Sequence, residues 1–219
     1  MKKETEKKPQ QQGNIVLSGF MGSGKSTVGR RLAAALGMKF IDMDRYIEKK
    51  TGKTVSDIFA EFGEAHFRAL ETETARTLSR ERHYVIATGG GTLMREENVK
   101  AFHESGGRIY YLDVPLRALQ ERLKNDKRRP LLQTENRNAV IEKLLDERRP
   151  KYLNSADVVV DAGAPTVVVV RRICALRGVE PDESALKLSE RGWKNGKKHT
   201  VKRRNSTDEG SCKYRKTVW

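Results

Sequence analysis

Residues 15–27 read Ile15-Val16-Leu17-Ser18-Gly19-Phe20-Met21-Gly22-Ser23-Gly24-Lys25-Ser26-Thr27. A short apolar run of strand type enters a glycine-spaced turn, and Lys25 then opens a helical pattern. The turn matches G-x-x-x-x-G-K-[ST], in which glycines let backbone N–H groups face inward around phosphates and the helix N-terminus adds positive potential. Lys25 is placed to reach the β- and γ-phosphates of a nucleotide, and Ser26 to ligate Mg²⁺. Gly22, Ser23, Gly24, Lys25, Ser26 and Thr27 are the expected nucleotide-binding residues. The same loop serves kinases, GTPases, helicases and motors, so other residues must choose between them.

Outward from this loop, short β-branched runs alternate with longer helical stretches, the pattern of a parallel sheet wrapped by helices. Strands are expected at 15–18, 40–41, 85–87, 109–112 and 158–160. Helices are expected at 25–36, 44–51, 56–62, 64–81, 95–104, 115–123, 138–152 and 165–176, with Ser56 as an N-cap and Pro115 and Pro165 in first turns. Residues 124–137 break the helical period with charges and a proline and read as a mobile lid. Beyond Gly178 aliphatic residues thin out. The expected organisation is a disordered tail over 1–12, one α/β domain over 13–178, and a basic extension over 179–219 with at most a short helix near 183–191.

The 219 residues suit one core with tails. Apolar runs are too short to span a bilayer, no secretory signal follows Met1, and Cys174 and Cys212 lack metal-ligand spacing. A cytoplasmic monomer is expected. A net charge of +15 admits nucleic acid, an anionic membrane surface or an anionic small substrate as partner. Part of that excess lies in the tails, and the rest thickens between Arg117 and Lys151, where a polyphosphate pocket would use it. With aromatic residues at 6% there is no evident base-stacking platform, so no nucleic-acid partner is expected.

Three further motifs carry chemistry. Asp42 and Asp44 leave a strand at the carboxyl edge of the sheet, where α/β proteins bind ligands. One can hold the Mg²⁺ shell while the other takes a proton from an acceptor hydroxyl, and as i and i+2 of a strand they would face one cleft about 7 Å apart. A helix-capping role competes with this reading. Arg68 and Glu71 stand one helical turn apart, so Glu71 can orient the guanidinium toward a carboxylate. Gly89-Gly90-Gly91 after a strand lets a ligand approach the backbone.

The ordered set formed by the Gly19–Ser26 loop, Asp42-x-Asp44, Phe67-Arg68-x-x-Glu71, Gly89-Gly90-Gly91, Arg129-Pro130-Leu131-Leu132 and Arg148-x-Pro150-x-Tyr152 resembles shikimate kinase. The resemblance spans roughly residues 14–178. It implies a nucleoside-monophosphate-kinase-like fold with a five-stranded parallel sheet, and transfer of the ATP γ-phosphate to the 3-hydroxyl of shikimate on the way to chorismate and aromatic amino acids. It also implies roles: Asp44, Lys25 and Arg129 in catalysis; Asp44, Arg68, Glu71, Gly89, Gly90, Gly91 and Arg148 around shikimate; Arg122 and Arg129 on ATP; Ser26 and Asp42 on magnesium. One departure is the stretch 160–165, about two residues shorter than the family's adenine-binding loop, which leaves adenine to backbone contacts. Gluconate kinase, which shares the fold and loop, is the nearest alternative, and the Asp42/Asp44 pair with the triple glycine and Arg129-Pro130 favours shikimate.

Overall fold

The computed structural model describes residues 13–126 and 132–186. In chain order these form β1 (Ile15–Ser18), α1 (Lys25–Leu36), β2 (Lys39–Asp42), α2 (Met43–Thr51), α3 (Val55–Arg80), β3 (Tyr84–Ala87), α4 (Glu96–Glu104), β4 (Arg108–Asp113), α5 (Leu116–Leu123), α6 (Arg137–Ser155), β5 (Val158–Asp161), α7 (Thr166–Leu176) and α8 (Glu183–Leu186). The five strands make one sheet in the order β2-β3-β1-β4-β5, and every pairing is parallel.

Burial explains the continuous apolar reading of β1, because Ile15, Val16 and Leu17 are all fully buried and both faces of the sheet are covered. Ile15 and Leu17 pack with Val28, Leu32, Val170 and Ile173 of α1 and α7. Val16, Ile86 and Ile109 face the other way, onto Ala75, Leu78 and Phe102 of α3 and α4. The chain moves from β1 to β2 and β3 on one side and then crosses to β4 on the other. The ligand crevice of such a sheet lies at that switch, outside the carboxyl end of β1.

The helical break expected after residue 62 falls at Gly63, whose φ of 78° and ψ of 174° interrupt α3. Thr54, not Ser56, caps that helix: its hydroxyl accepts from Asp57 N while Thr54 N donates to Asp57 Oδ2. Pro115 and Pro165 stand at the N-cap positions, immediately before α5 and α7.

The domain boundary expected after Gly178 is too early. Asp182 N donates to Ala35 O at 2.9 Å, Arg171 pairs with Glu183 at 2.7 Å, and Leu186 is buried in the α1/α7 core. Two buried residues, Ala185 and Leu186, together with these polar contacts hold α8 on the domain. Leu186→Ala should therefore lower the melting temperature by roughly 5 °C or more, from a loss of about 2–4 kcal/mol at 2–4 °C per kcal/mol. An unchanged Tm would mean that α8 contributes nothing to the fold. The remaining extension, like the 1–12 tail, lies outside the described residues. No helix of the described residues is long and apolar enough to cross a membrane.

Candidate active site

At the end of β1 the chain turns through Gly22 and Gly24 with φ of 78° and 92°, a left-handed conformation that a side chain would strain. Gly24 is the N-cap of α1, so the helix N-terminus opens directly onto the loop. Lys25 Nζ donates to Gly19 O at 2.7 Å and Phe20 O at 3.1 Å, which holds the ammonium over the loop. Arg122 reaches in from α5, within 3.4 Å of Gly22 O and 3.2 Å of Ala162 O. It thus joins the phosphate loop to the short 160–165 loop. In that short loop Asp161 is engaged by Gly163 N and Arg172, which leaves its side chain turned to its own backbone and to α7.

Asp42 and Asp44 do not occupy two strand positions. β2 ends at Asp42, which caps α2 by accepting from Arg45 N, and Asp44 lies in the first turn of that helix. An aspartate placed before a helical stretch stops the strand because its carboxylate satisfies an otherwise unpaired helix N–H. Capping α2 occupies one oxygen of Asp42, and the second accepts from Ser26 Oγ at 2.5 Å, beside the phosphate loop. Hard oxygen donors of this kind suit Mg²⁺.

Asp44 faces the triple glycine. A Cβ built on Gly89 would stand 2.6 Å from Glu71 Oε1, 2.8 Å from Asp44 Oδ1 and 2.9 Å from Thr92 Oγ1, so only glycine lets these three groups converge. Burial first, then the charges of Asp42 and Glu71, push the Asp44 carboxyl up to about 6, with Lys25 pulling the other way. A carboxyl raised this far ionises close to neutral pH, the range that general-base chemistry needs.

Glu71 is almost fully buried and divides its oxygens between two partners: Oε2 accepts from Arg68 Nη1 and Oε1 from Thr92 Oγ1, each at 2.5 Å. Arg68 is held on its outer side by Glu64 at 2.9 Å, and its guanidinium lies against Gly91, where a Cβ would come within 2.5 Å of Nη1. Tyr152 closes the site from α6, donating to Gly90 O at 2.5 Å. Burial pushes the Tyr152 hydroxyl up, while Arg148 and Arg68 pull it down, so both cations reach the same corner.

The structure therefore brings together Lys25, Ser26, Asp42, Asp44, Arg68, Glu71, Gly89, Gly90, Gly91 and Arg148. Arg129 lies outside the described residues. The ends of the stretch read as a lid are pinned: Leu132 is buried, and Arg137 donates to the carbonyls of Leu123, Lys124 and Leu132. Tyr152 closes the Arg148-x-Pro150-x-Tyr152 motif, but its bond to the glycine floor has no signal in the sequence, and Thr92 is an ordinary hydroxyl until the fold sets it against Glu71.

A phosphate loop facing a raised carboxylate and two arginines across a glycine floor belongs to the P-loop kinases of small acidic metabolites. The family model described as shikimate kinase matches residues 21–176. The chain is 41% identical over 175 residues to a shikimate kinase of Thermodesulfovibrio yellowstonii, covering 80% of this chain and 92% of that one. It is 47% identical over 150 residues to a shikimate kinase of Methylococcus capsulatus, covering 68% and 83%. The structure of shikimate kinase from Acinetobacter baumannii in complex with shikimate superposes with a TM-score of 0.70 at 37% identity, over 76% of this chain and 93% of that one. The chain belongs to the shikimate kinase family.

Proposed function

We propose that this site transfers the γ-phosphate of ATP to the 3-hydroxyl of shikimate, with Asp44 as general base. The observation that carries the reading is the Gly89–Gly91 floor, which sets a raised carboxylate at one end and a buttressed guanidinium at the other. Arg68 and Arg148 take the shikimate carboxylate. Asp44 accepts the 3-hydroxyl proton as that oxygen bonds to the γ-phosphorus, the bond to the β–γ bridging oxygen breaks, and ADP leaves. Lys25 and the loop N–H groups hold the phosphates, and Arg122 and Arg129 serve the donor side.

Ser26 and Asp42 are the residues for Mg²⁺. Among the described residues no group of three or more His, Cys, Asp or Glu side chains comes together to hold a metal, so phosphate and water would complete the shell. When bound, the ion neutralises charge on the phosphates. Asp42→Asn should raise the magnesium concentration for half-maximal activity by about tenfold, the lower end for disturbed metal ligation, with the shikimate KM unchanged. A magnesium titration matching the parent would remove Asp42 from the metal site.

In this reading the enzyme acts as a monomer in the cytoplasm, with ATP and shikimate and no nucleic acid as its partners. The reading is tested by ATP consumption with shikimate, gluconate and nucleoside monophosphates as acceptors and mass analysis of the product. Shikimate-dependent ADP formation giving shikimate 3-phosphate is expected. No stimulation by shikimate, or faster turnover with gluconate, would overturn it.

A further inference from the structure

Helix α6 carries Arg148 and Tyr152, yet Pro150 stands between them. A proline inside a helix cannot donate to the carbonyl four residues back and its ring crowds that carbonyl, so the helix is weak where it presents its functional side chains. Tethers bracket the weak point. Tyr152 is tied to Gly90 O at 2.5 Å and its ring stacks on Tyr111, with centroids 5.3 Å apart and planes at 18°. Arg149 Nη2 donates to Asp113 Oδ2 at 2.7 Å and its Nε to Asp113 Oδ1 at 3.4 Å, the same oxygen that accepts from Tyr111 OH at 3.0 Å. Asp113 and Tyr111 belong to β4, which pairs directly with β1 beside the phosphate loop.

We infer that Asp113 is a positioning residue for the acceptor: by holding Arg149 and Tyr111 it fixes the proline-weakened turn of α6, so that Arg148 faces the acceptor carboxylate while Tyr152 stays on the glycine floor. The inference rests on the reading that Arg148 binds that carboxylate. The Arg149 side chain is half exposed, at 51%, and exposed ion pairs contribute little to global stability. Its disruption should therefore appear in substrate binding and not in melting.

Asp113→Asn and Arg149→Met should each raise the shikimate KM about five- to tenfold, with kcat within about threefold, the ATP KM unchanged and Tm within about 2 °C. The double variant should be no worse than either single one, because both remove one interaction. Arg149→Lys should recover part of the KM. With the methyl ester of shikimate, which lacks the anionic carboxylate, the Asp113→Asn effect should disappear. An unchanged shikimate KM, an equal rise in the ATP KM, or the same loss with the ester would overturn the inference. Arg148→Met, measured alongside, separates the two readings. If it raises the shikimate KM while Asp113→Asn does not, positioning alone fails; if it does not raise it, the carboxylate assignment falls and the inference with it.

Discussion

Asp44→Asn is expected to lower turnover by about 10²–10⁴-fold, the usual worth of a general base, and at the same time to make the protein more stable at neutral pH. The two effects share one cause. Burial and the neighbouring charges of Asp42 and Glu71 raise the Asp44 carboxyl from 3.8 to about 6, so the folded protein resists the charge that catalysis needs. A carboxylate raised on folding binds its proton more tightly in the native state than in the unfolded one. Stability then falls as pH rises from about 4 to about 6; the penalty is complete above 6 and absent below 4. It amounts to roughly 2–3 kcal/mol, so Asp44→Asn should gain about 5–10 °C in Tm at pH 7.5 and little or nothing at pH 4. A variant with parental turnover would remove Asp44 from the chemistry. Lower activity with a lower Tm at pH 7.5 would mean that the native carboxylate is stabilised, contrary to its surroundings.

Glu71→Ala should be the most damaging change that touches neither the phosphate loop nor the base. The Glu71 carboxylate is buried and accepts from both Arg68 and Thr92. Its removal leaves the Thr92 hydroxyl without its acceptor and lets the Arg68 guanidinium turn outward to Glu64, its other partner. About 2–3 kcal/mol of stability should go with the two bonds and the emptied space. Because Arg68 would no longer be aimed at Gly91, the shikimate KM should rise by at least about tenfold, with the ATP KM little changed. Calorimetry and initial-rate kinetics on the same sample check both. A stable variant with parental shikimate affinity would show that Arg68 needs no buttress.

The alternation of short apolar runs and helical stretches makes the strands legible in the sequence, most plainly the central β1, β3 and β4, which are buried on both faces and read as nearly uninterrupted apolar runs. The Arg68–Glu71 pair is legible for a similar reason: helical spacing alone sets the two side chains together. The geometry of Asp42 and Asp44 is not. The same two letters fit a strand end or a helix cap, and only the fold shows Asp42 ending β2 and capping α2 while its other oxygen accepts from Ser26 Oγ. Asp44 reaches its site from a helix turn, not from a pleat. Thr92 and Tyr111 are hidden differently. Each is unremarkable along the chain until the fold sets Thr92 against Glu71 of α3 and stacks Tyr111 on Tyr152 of α6. The boundary at Gly178 fails because composition averages over a window, whereas α8 is held by Leu186 and a few hydrogen bonds to α1 and α7.

The most direct measurement is the pH dependence of kcat/KM for shikimate, at saturating ATP and magnesium, in the parent and in Asp44→Asn. The parent should lose activity on the acid side with an apparent pKa near 6, well above the ordinary carboxylate value, as Asp44 takes up its proton. The residual activity of Asp44→Asn should show no such limb. A parent limb near 4, or a limb near 6 that survives in Asp44→Asn, would contradict the assignment of Asp44 as the base.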